Sequence, residues 1–226
     1  MPGANRWLVV IPALALLAFL SFWSVRWAWG DAYATTALRL ITKWDAEKSP
    51  PALETFLWVR RALERAQVLA PADPAIPELL GLMHLQQSAR PEFSELALEH
   101  FGRALALRPS SPYTWANVAE AKFRLGQTQA PFEEILLRAQ ALGPSEPETQ
   151  RMMVELGSAL WNELSAPAQR EVKLALERAM RRNPLETLLI SERRGRLDLA
   201  CPLAAGEIRL EKSKWPKVCE EQEAGA

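Results

Sequence analysis

Four segments of the chain end alike, RALERAQVLAP, HFGRALALRP, ILLRAQALGP and ALERAMRRNP, closing on Pro71, Pro109, Pro144 and Pro184. The spacings between these prolines are 38, 35 and 40 residues. Proline lacks the backbone N–H and disfavours helical geometry in the residue before it, so each one ends a helix and opens a turn. Counting back from each, small or apolar residues recur at minus five, minus eight and minus twelve: Ala66, Leu63 and Val59; Ala104, Phe101 and Ala97; Ala139, Leu136 and Phe132; Ala179, Leu176 and Val172. Those offsets lie on one helical face. Self-similarity at this period predicts stacked helix pairs, each burying its apolar stripe against its neighbours.

Composition agrees. Ala, Leu, Glu and Arg dominate and Gly is only 10 of 226 residues, a helix-forming mixture. The expected class is all-α, an antiparallel helix-pair solenoid following one N-terminal transmembrane helix. Basic and acidic residues balance at 27 each, so there is no electrostatic footprint for nucleic acid, and none is expected as a partner.

The run WLVVIPALALLAFLSFWSV, residues 7–25, carries no charge. Nineteen helical residues at about 1.5 Å each nearly cover a hydrocarbon core of about 30 Å. Membrane lipid is therefore the first expected partner. Trp7 at one end and Trp23, Trp27 and Trp29 at the other fit interfacial aromatic belts. A cleaved signal peptide is the competing reading, with loose small-x-small sites at Ala28-Trp29-Gly30 and Ala32-Tyr33-Ala34. The apolar stretch is longer than an ordinary signal core and aromatics crowd the cleavage region, which favours an anchor. Counting Arg6 against Arg26, Arg39 and Lys43 leans towards a cytoplasmic body. Long domains after a first span translocate largely regardless of charge, however. The cysteines lean the same way, so the body is expected in the periplasm of a single-pass inner-membrane protein.

Those cysteines, Cys201 and Cys219, both fall in the C-terminal tail. They form either a staple or two free thiols, and the staple is the expectation. Closing that loop would stabilise the tail by about 3 kcal/mol. Metal binding is not expected, because no CxxC or neighbouring His accompanies them. The organisation read from these signals is an anchor at 1–30, a connecting helix and linker at 31–51, a repeat domain at 52–195, and a stapled, loop-like tail at 196–226. Leu38, Ile41 and Trp44 are expected on one side of the connecting helix. Repeat helices are expected at 52–70, 75–88, 93–107, 113–125, 130–142, 146–163, 167–182 and 185–195.

No catalytic residues are expected, and no cofactor. HExxH, GxSxG, GxGxxG and the P-loop pattern are all missing from the sequence, and no nucleophile is positioned beside a base. An enzymatic role would need an unforeseen cluster around Glu120 and His84. His84 is expected to be packed or at a rim, and His100 lies beside core-facing Phe101. The pairs Arg60-Arg61, Arg181-Arg182 and Arg193-Arg194 suit helix C-terminal carbonyls and the macrodipole better than an anionic polymer. Glu133-Glu134 and Glu220-Glu221 read as solvated faces.

Leu80-Gly81-x2-His84 followed by Ala97-x3-Phe101, Ala104 and Pro109 resembles the tetratricopeptide pattern W-x2-L-G-x2-Y, A-x3-F, P. Trp115-x2-Val118-Ala119 with Leu125-Gly126, Ala139 and Pro144 resembles a second unit. The likeness covers about residues 52 to 184, with extra residues around 88–96 and 161–167. It implies a partner-binding groove lined by the first helix of each pair. Its register places Tyr113, Ala116, Glu120 and Phe123 there, then Glu148, Arg151, Glu155 and Ser158, with Asn117 beside them. Trp115 is expected between helices instead. Capture of a peptide carboxylate is not expected, since Ala116 and Glu120 stand where Lys and Asn would be required. A narrower resemblance rests on RPSSPYTWANVAEAK, residues 108–122, which is similar to the VpsP-type family of bacterial polysaccharide biosynthesis. It implies an accessory role in making or exporting an exopolysaccharide, with envelope or polysaccharide-assembly proteins as partners. A polysaccharide held by a carbohydrate-binding or chain-length-controlling module is the alternative.

Overall fold

The computed structural model describes residues 4–47, 51–87, 90–206 and 219, the side chains of 4–8 and 205–206 excepted. The described residues form ten α-helices and no strand. They are α1 (Ala4–Glu47), α2 (Leu53–Leu69), α3 (Ala75–Leu85), α4 (Pro91–Leu107), α5 (Pro112–Arg124), α6 (Phe132–Leu142), α7 (Pro147–Ala159), α8 (Ala166–Arg182), α9 (Pro184–Arg193) and α10 (Leu197–Gly206). The expected all-α class with one long apolar N-terminal helix is the one observed. The chain divides into two compact units, Met1–Leu107 and Arg108–Ala226.

Each recurrent proline stands two residues past the end of an even-numbered helix, namely α2, α4, α6 and α8. At three of these ends the residue before proline closes the last helical hydrogen bond onto the repeated alanine: Ala70 N–H to Ala66 O (2.8 Å), Gly143 N–H to Ala139 O (3.0 Å) and Asn183 N–H to Ala179 O (2.8 Å). Proline then prevents continuation. Eleven of the twelve positions singled out by the repeat are buried, and Ala179 is half-buried. At Pro184 the turn shrinks to one residue. Asn183 both ends α8 and caps α9, accepting from Glu186 N–H at 3.4 Å.

In the first unit the odd helices lie beside each other, as α1 touches α3, and each packs on the even helix that follows it. Its core joins Ala34, Ala37, Ile41 and Trp44 of α1 to Phe56, Val59, Leu63 and Ala66 of α2 and to Ile76, Leu80 and Met83 of α3. The segment read as a connecting helix is thus the first member of a packed pair. Leu38 is exposed, and Ala34 and Ala37 take the inward positions beside Ile41 and Trp44. α1 runs unbroken through Pro12 and through residue 30, where the sequence allowed a join. Gly30 sits against the end of α2, so close that a Cβ there would lie 3.2 Å from Ala70 Cβ.

The α3–α4 pair closes tighter still. A Cβ on Gly81 would stand 2.3 Å from Cε1 of Phe101, so the ring rests directly on the α3 backbone. Nearby, His84 is buried in an aromatic cluster, stacked on His100 (5.4 Å between centroids) and Phe93 (5.8 Å) with the Phe56 edge against it (6.1 Å). Burial lowers the His84 pKa to about 4, helped by His100 and Arg60. His100 is also lowered, by burial first and then by Arg103, with Glu99 partly opposing.

In the second unit α5, α7 and α9 lie side by side, and α6, α8 and α10 pack on them. Gly157 of α7 meets Val172 of α8, at 2.3 Å from its Cγ2 to a Cβ built on the glycine. The start of the tail differs from the loop expected there. Leu197–Gly206 is helical despite Pro202, with Ala200, Cys201 and Ala204 buried where α10 packs on α8 and α9. Tertiary burial there outweighs the local proline signal. Cys201 is joined to Cys219 by a disulfide, with a Cα–Cα separation of 5.4 Å.

Gly81→Ala must push Phe101 aside and should cost about 1–3 kcal/mol. Gly102→Ala, where a Cβ meets nothing within 4 Å, should be neutral or stabilising by about 0.5–1 kcal/mol; urea titration of the full chain in detergent distinguishes them. A second expectation concerns pH. The folded state resists protonation that the unfolded chain accepts from about pH 6.5 downward, so stability is highest above that value and falls towards pH 4. His84 alone accounts for up to about 1.4 kcal/mol per pH unit across that window. His84→Phe should flatten the dependence of the urea midpoint between pH 7 and 5, and an unchanged slope would refute this.

Candidate functional site

α5, α7 and α9 present one face on which charged side chains bridge helices. Arg194, at the end of α9, donates from Nη2 to Glu155 Oε1 of α7 at 2.9 Å. Its Cζ lies 5.5 Å from the centre of the Phe123 ring of α5. One guanidinium therefore spans three helices, pairing a carboxylate and covering an aromatic face. Glu155 also faces Arg151 Nη1 at 3.4 Å, and Arg151 Nε reaches Glu148 Oε2 at 3.1 Å. On α5, Arg124 Nε donates to Glu120 Oε1 at 2.7 Å. With a side chain only 19% exposed, Glu155 is the most enclosed member and the hub of the network.

The groove residues named from the register fall out as follows. Phe123 lies under Arg194, Glu120 pairs with Arg124, and Arg151 bridges Glu148 and Glu155. Asn117 is half-buried on α5. Ala116, only 5% exposed, offers no surface, and Ser158 is buried as well. Tyr113 is 40% exposed, and its hydroxyl donates to Glu146, the residue that precedes α7. It clasps the starts of α5 and α7 together. Trp115 is half-buried, donating from Nε1 to Pro109 O at 2.8 Å with Arg138 Cζ 6.0 Å from its ring centre. Ser111 caps α5 through Thr114 N–H (3.3 Å).

The network was only partly visible in the sequence. Sequence position suggests that Arg193 and Arg194 both serve their own helix end, yet of the two only Arg193 does so, donating to Leu189 O at 3.5 Å. Arg182 and Arg178 likewise cross to the turn after α6, bonding Ser145 O (2.8 Å) and Pro144 O (3.3 Å). The overlooked signal is separation. Glu155 and Arg194 are 39 residues apart, Tyr113 and Glu146 33, Asn162 and Arg196 34, and Glu133 and Ser165 32. Each is about one repeat, the distance at which stacked units bring residues together.

The second candidate region is the junction of α1 with α2. Residues Val9–Val25 are exposed along the helix, which is long and apolar enough to cross a membrane. Trp23 stacks near Phe19 (6.0 Å) and carries Arg26 5.2 Å above its ring, while Trp27 and Trp29 are exposed. The Trp7 side chain lies outside the described residues. Arg26, unremarked in the sequence except as a charge, donates from Nε to Leu69 O (2.9 Å) and from Nη2 to Val68 O (2.5 Å). It satisfies two of the carbonyls that the end of α2 leaves without a helical partner. Among the described residues no three His, Cys, Asp or Glu side chains are placed to hold a metal ion.

No protein-family model matches the chain, and no curated protein matches it.

If Glu155 and Arg194 form one coupled unit, a double-mutant cycle with Glu155→Gln and Arg194→Ala should give a coupling of about 0.5–1 kcal/mol in the urea midpoint. Additive losses would show that the two act separately.

Proposed function

We propose that the protein is a membrane-anchored, tetratricopeptide-like adaptor that holds a protein partner of the bacterial envelope on the α5, α7 and α9 face. The observation that carries the proposal is the continuity of α1, whose first half is exposed and apolar while its second half is built into the core of the first unit. Such a helix ties a folded body to a bilayer without a linker. Gly30 and Ala34 lie buried in that second half, so the apolar stretch and the body share one helix through them.

Support for the tetratricopeptide-like reading is physical. The quoted glycine and phenylalanine of the pattern, Gly81 and Phe101, meet face to face, and cross-helix hydrogen bonds in the second unit recur at one repeat length. The disulfide supports a body on the oxidising, periplasmic side of the inner membrane. The charge network suits a protein partner better than an anionic polymer, since each cation on it already has a carboxylate and the face carries no surplus of one sign. Exopolysaccharide biosynthesis or export is the setting proposed from the VpsP-type resemblance of residues 108–122.

A photo-crosslinker at Asn117 on the face should capture a specific envelope protein in intact membranes, and one at the exposed Leu174 of α8 should not. Identical capture from both positions, or none from Asn117, would refute the adaptor reading. A C-terminal alkaline phosphatase fusion is expected to be active, and an inactive fusion would place the body in the cytoplasm.

A further inference from the structure

The end of α2 sits where α1 leaves its apolar stretch. From Val9 to Val25 α1 is exposed and apolar, and residues 7–25 span about 28 Å at about 1.5 Å per residue, close to the thickness of a hydrocarbon core. Arg26 therefore marks the boundary of that core on the side of the folded body. Its guanidinium is bonded to the carbonyls of Val68 and Leu69, which brings the last turn of α2 to the same level. Val68 is 71% exposed there, Pro71 and Ala72 are exposed in the turn that follows, and Trp27 and Trp29 are exposed on α1.

We propose that the end of α2, with Val68 and the turn at Ala70–Ala72, rests in the interfacial layer of the bilayer, so that the body is seated on lipid as well as tethered to it. The proposal deepens the anchor reading and rests on it. Two features point to lipid as the occupant. Val68, whose carbonyl Arg26 holds, is an exposed apolar side chain, and Arg26 directly follows the exposed apolar stretch of α1. The hydrogen bonds of Arg26 also fix the level of the α2 end, because they hold the Val68 and Leu69 carbonyls beside the residue that directly follows the apolar stretch. The positive head of Arg26 lies against the negative end of α2 and 5.2 Å from the centre of the Trp23 ring.

The test uses the full chain, with its disulfide intact, in phosphatidylcholine–phosphatidylglycerol vesicles. An environment-sensitive fluorophore is placed singly at Leu17→Cys in the span, Val68→Cys at the proposed seat and Leu53→Cys at the far end of α2. These are exposed sites, where a label disturbs no core. Leu53 lies fifteen residues from Val68 along α2, about 22 Å, and is equally exposed at 71%. Lipid-borne nitroxides should quench labels 17 and 68 at least threefold more than label 53, and iodide should show the reverse order. Quenching of 17 with 68 and 53 alike, both high or both low, overturns the seat and leaves the anchor standing. Access of iodide to 17 overturns the anchor and the seat together.

Discussion

Helix pairs in this protein close because one helix gives up a side chain where its partner brings bulk. Gly81 receives the Phe101 ring, Gly157 receives Val172, and Gly30 lets α1 settle on Ala70. At each place a methyl group would meet an atom at 3.2 Å or less. Contact this close brings the buried stripes of both helices into register, and it explains how helices of 10–17 residues, marginal alone in water, hold as pairs. The core residues counted back from each proline then have something to pack against. Proline decides where a helix stops, while the missing side chain decides how near its partner lies.

On the outer side of the α5, α7 and α9 row the chemistry reverses, and charged groups hold each other. Arg194, Glu155 and Arg151 form a chain across neighbouring helices, with Phe123 beneath it. A surface neutralised in this way attracts no particular partner from a distance. For the partner proposed above, discrimination would operate at contact, because an incoming charge must match the pairs it displaces. Tyr113 and Glu146 lock the entrance of the same row, and so one residue both shapes the face and limits its own availability.

Most of the architecture was legible because it is written in local signals. The prolines mark four helix ends to within one residue, and the minus-five alanines prove to be the acceptors of closing hydrogen bonds at three of them. α10 was not legible, since Pro202 and a weak apolar period both argue for a loop, and its helix exists only by burying Ala200, Cys201 and Ala204 against neighbours. The site was harder than the fold for the same reason. Helical register put Phe123, Glu120 and Arg151 on one face, but it also put Ala116 and Ser158 there, which are buried. Register gives a direction from one helix axis and says nothing of how closely the next helix stands. Arg26 and Arg194 act on residues 39 or more positions away, beyond any pattern that neighbouring residues can carry.

In the anchored arrangement proposed above, the unbroken course of α1 would give the body a sensitivity to the thickness of its membrane. A span joined to a domain by a loop meets hydrophobic mismatch by leaning on its own. Here the exposed apolar residues and those that meet α2 share one helical phase, with no hinge between Val9 and Trp44. A thinner bilayer would then be matched by tilting the entire rod, and the first helix pair, fixed to it at Gly30 and Arg26, would incline by the same angle.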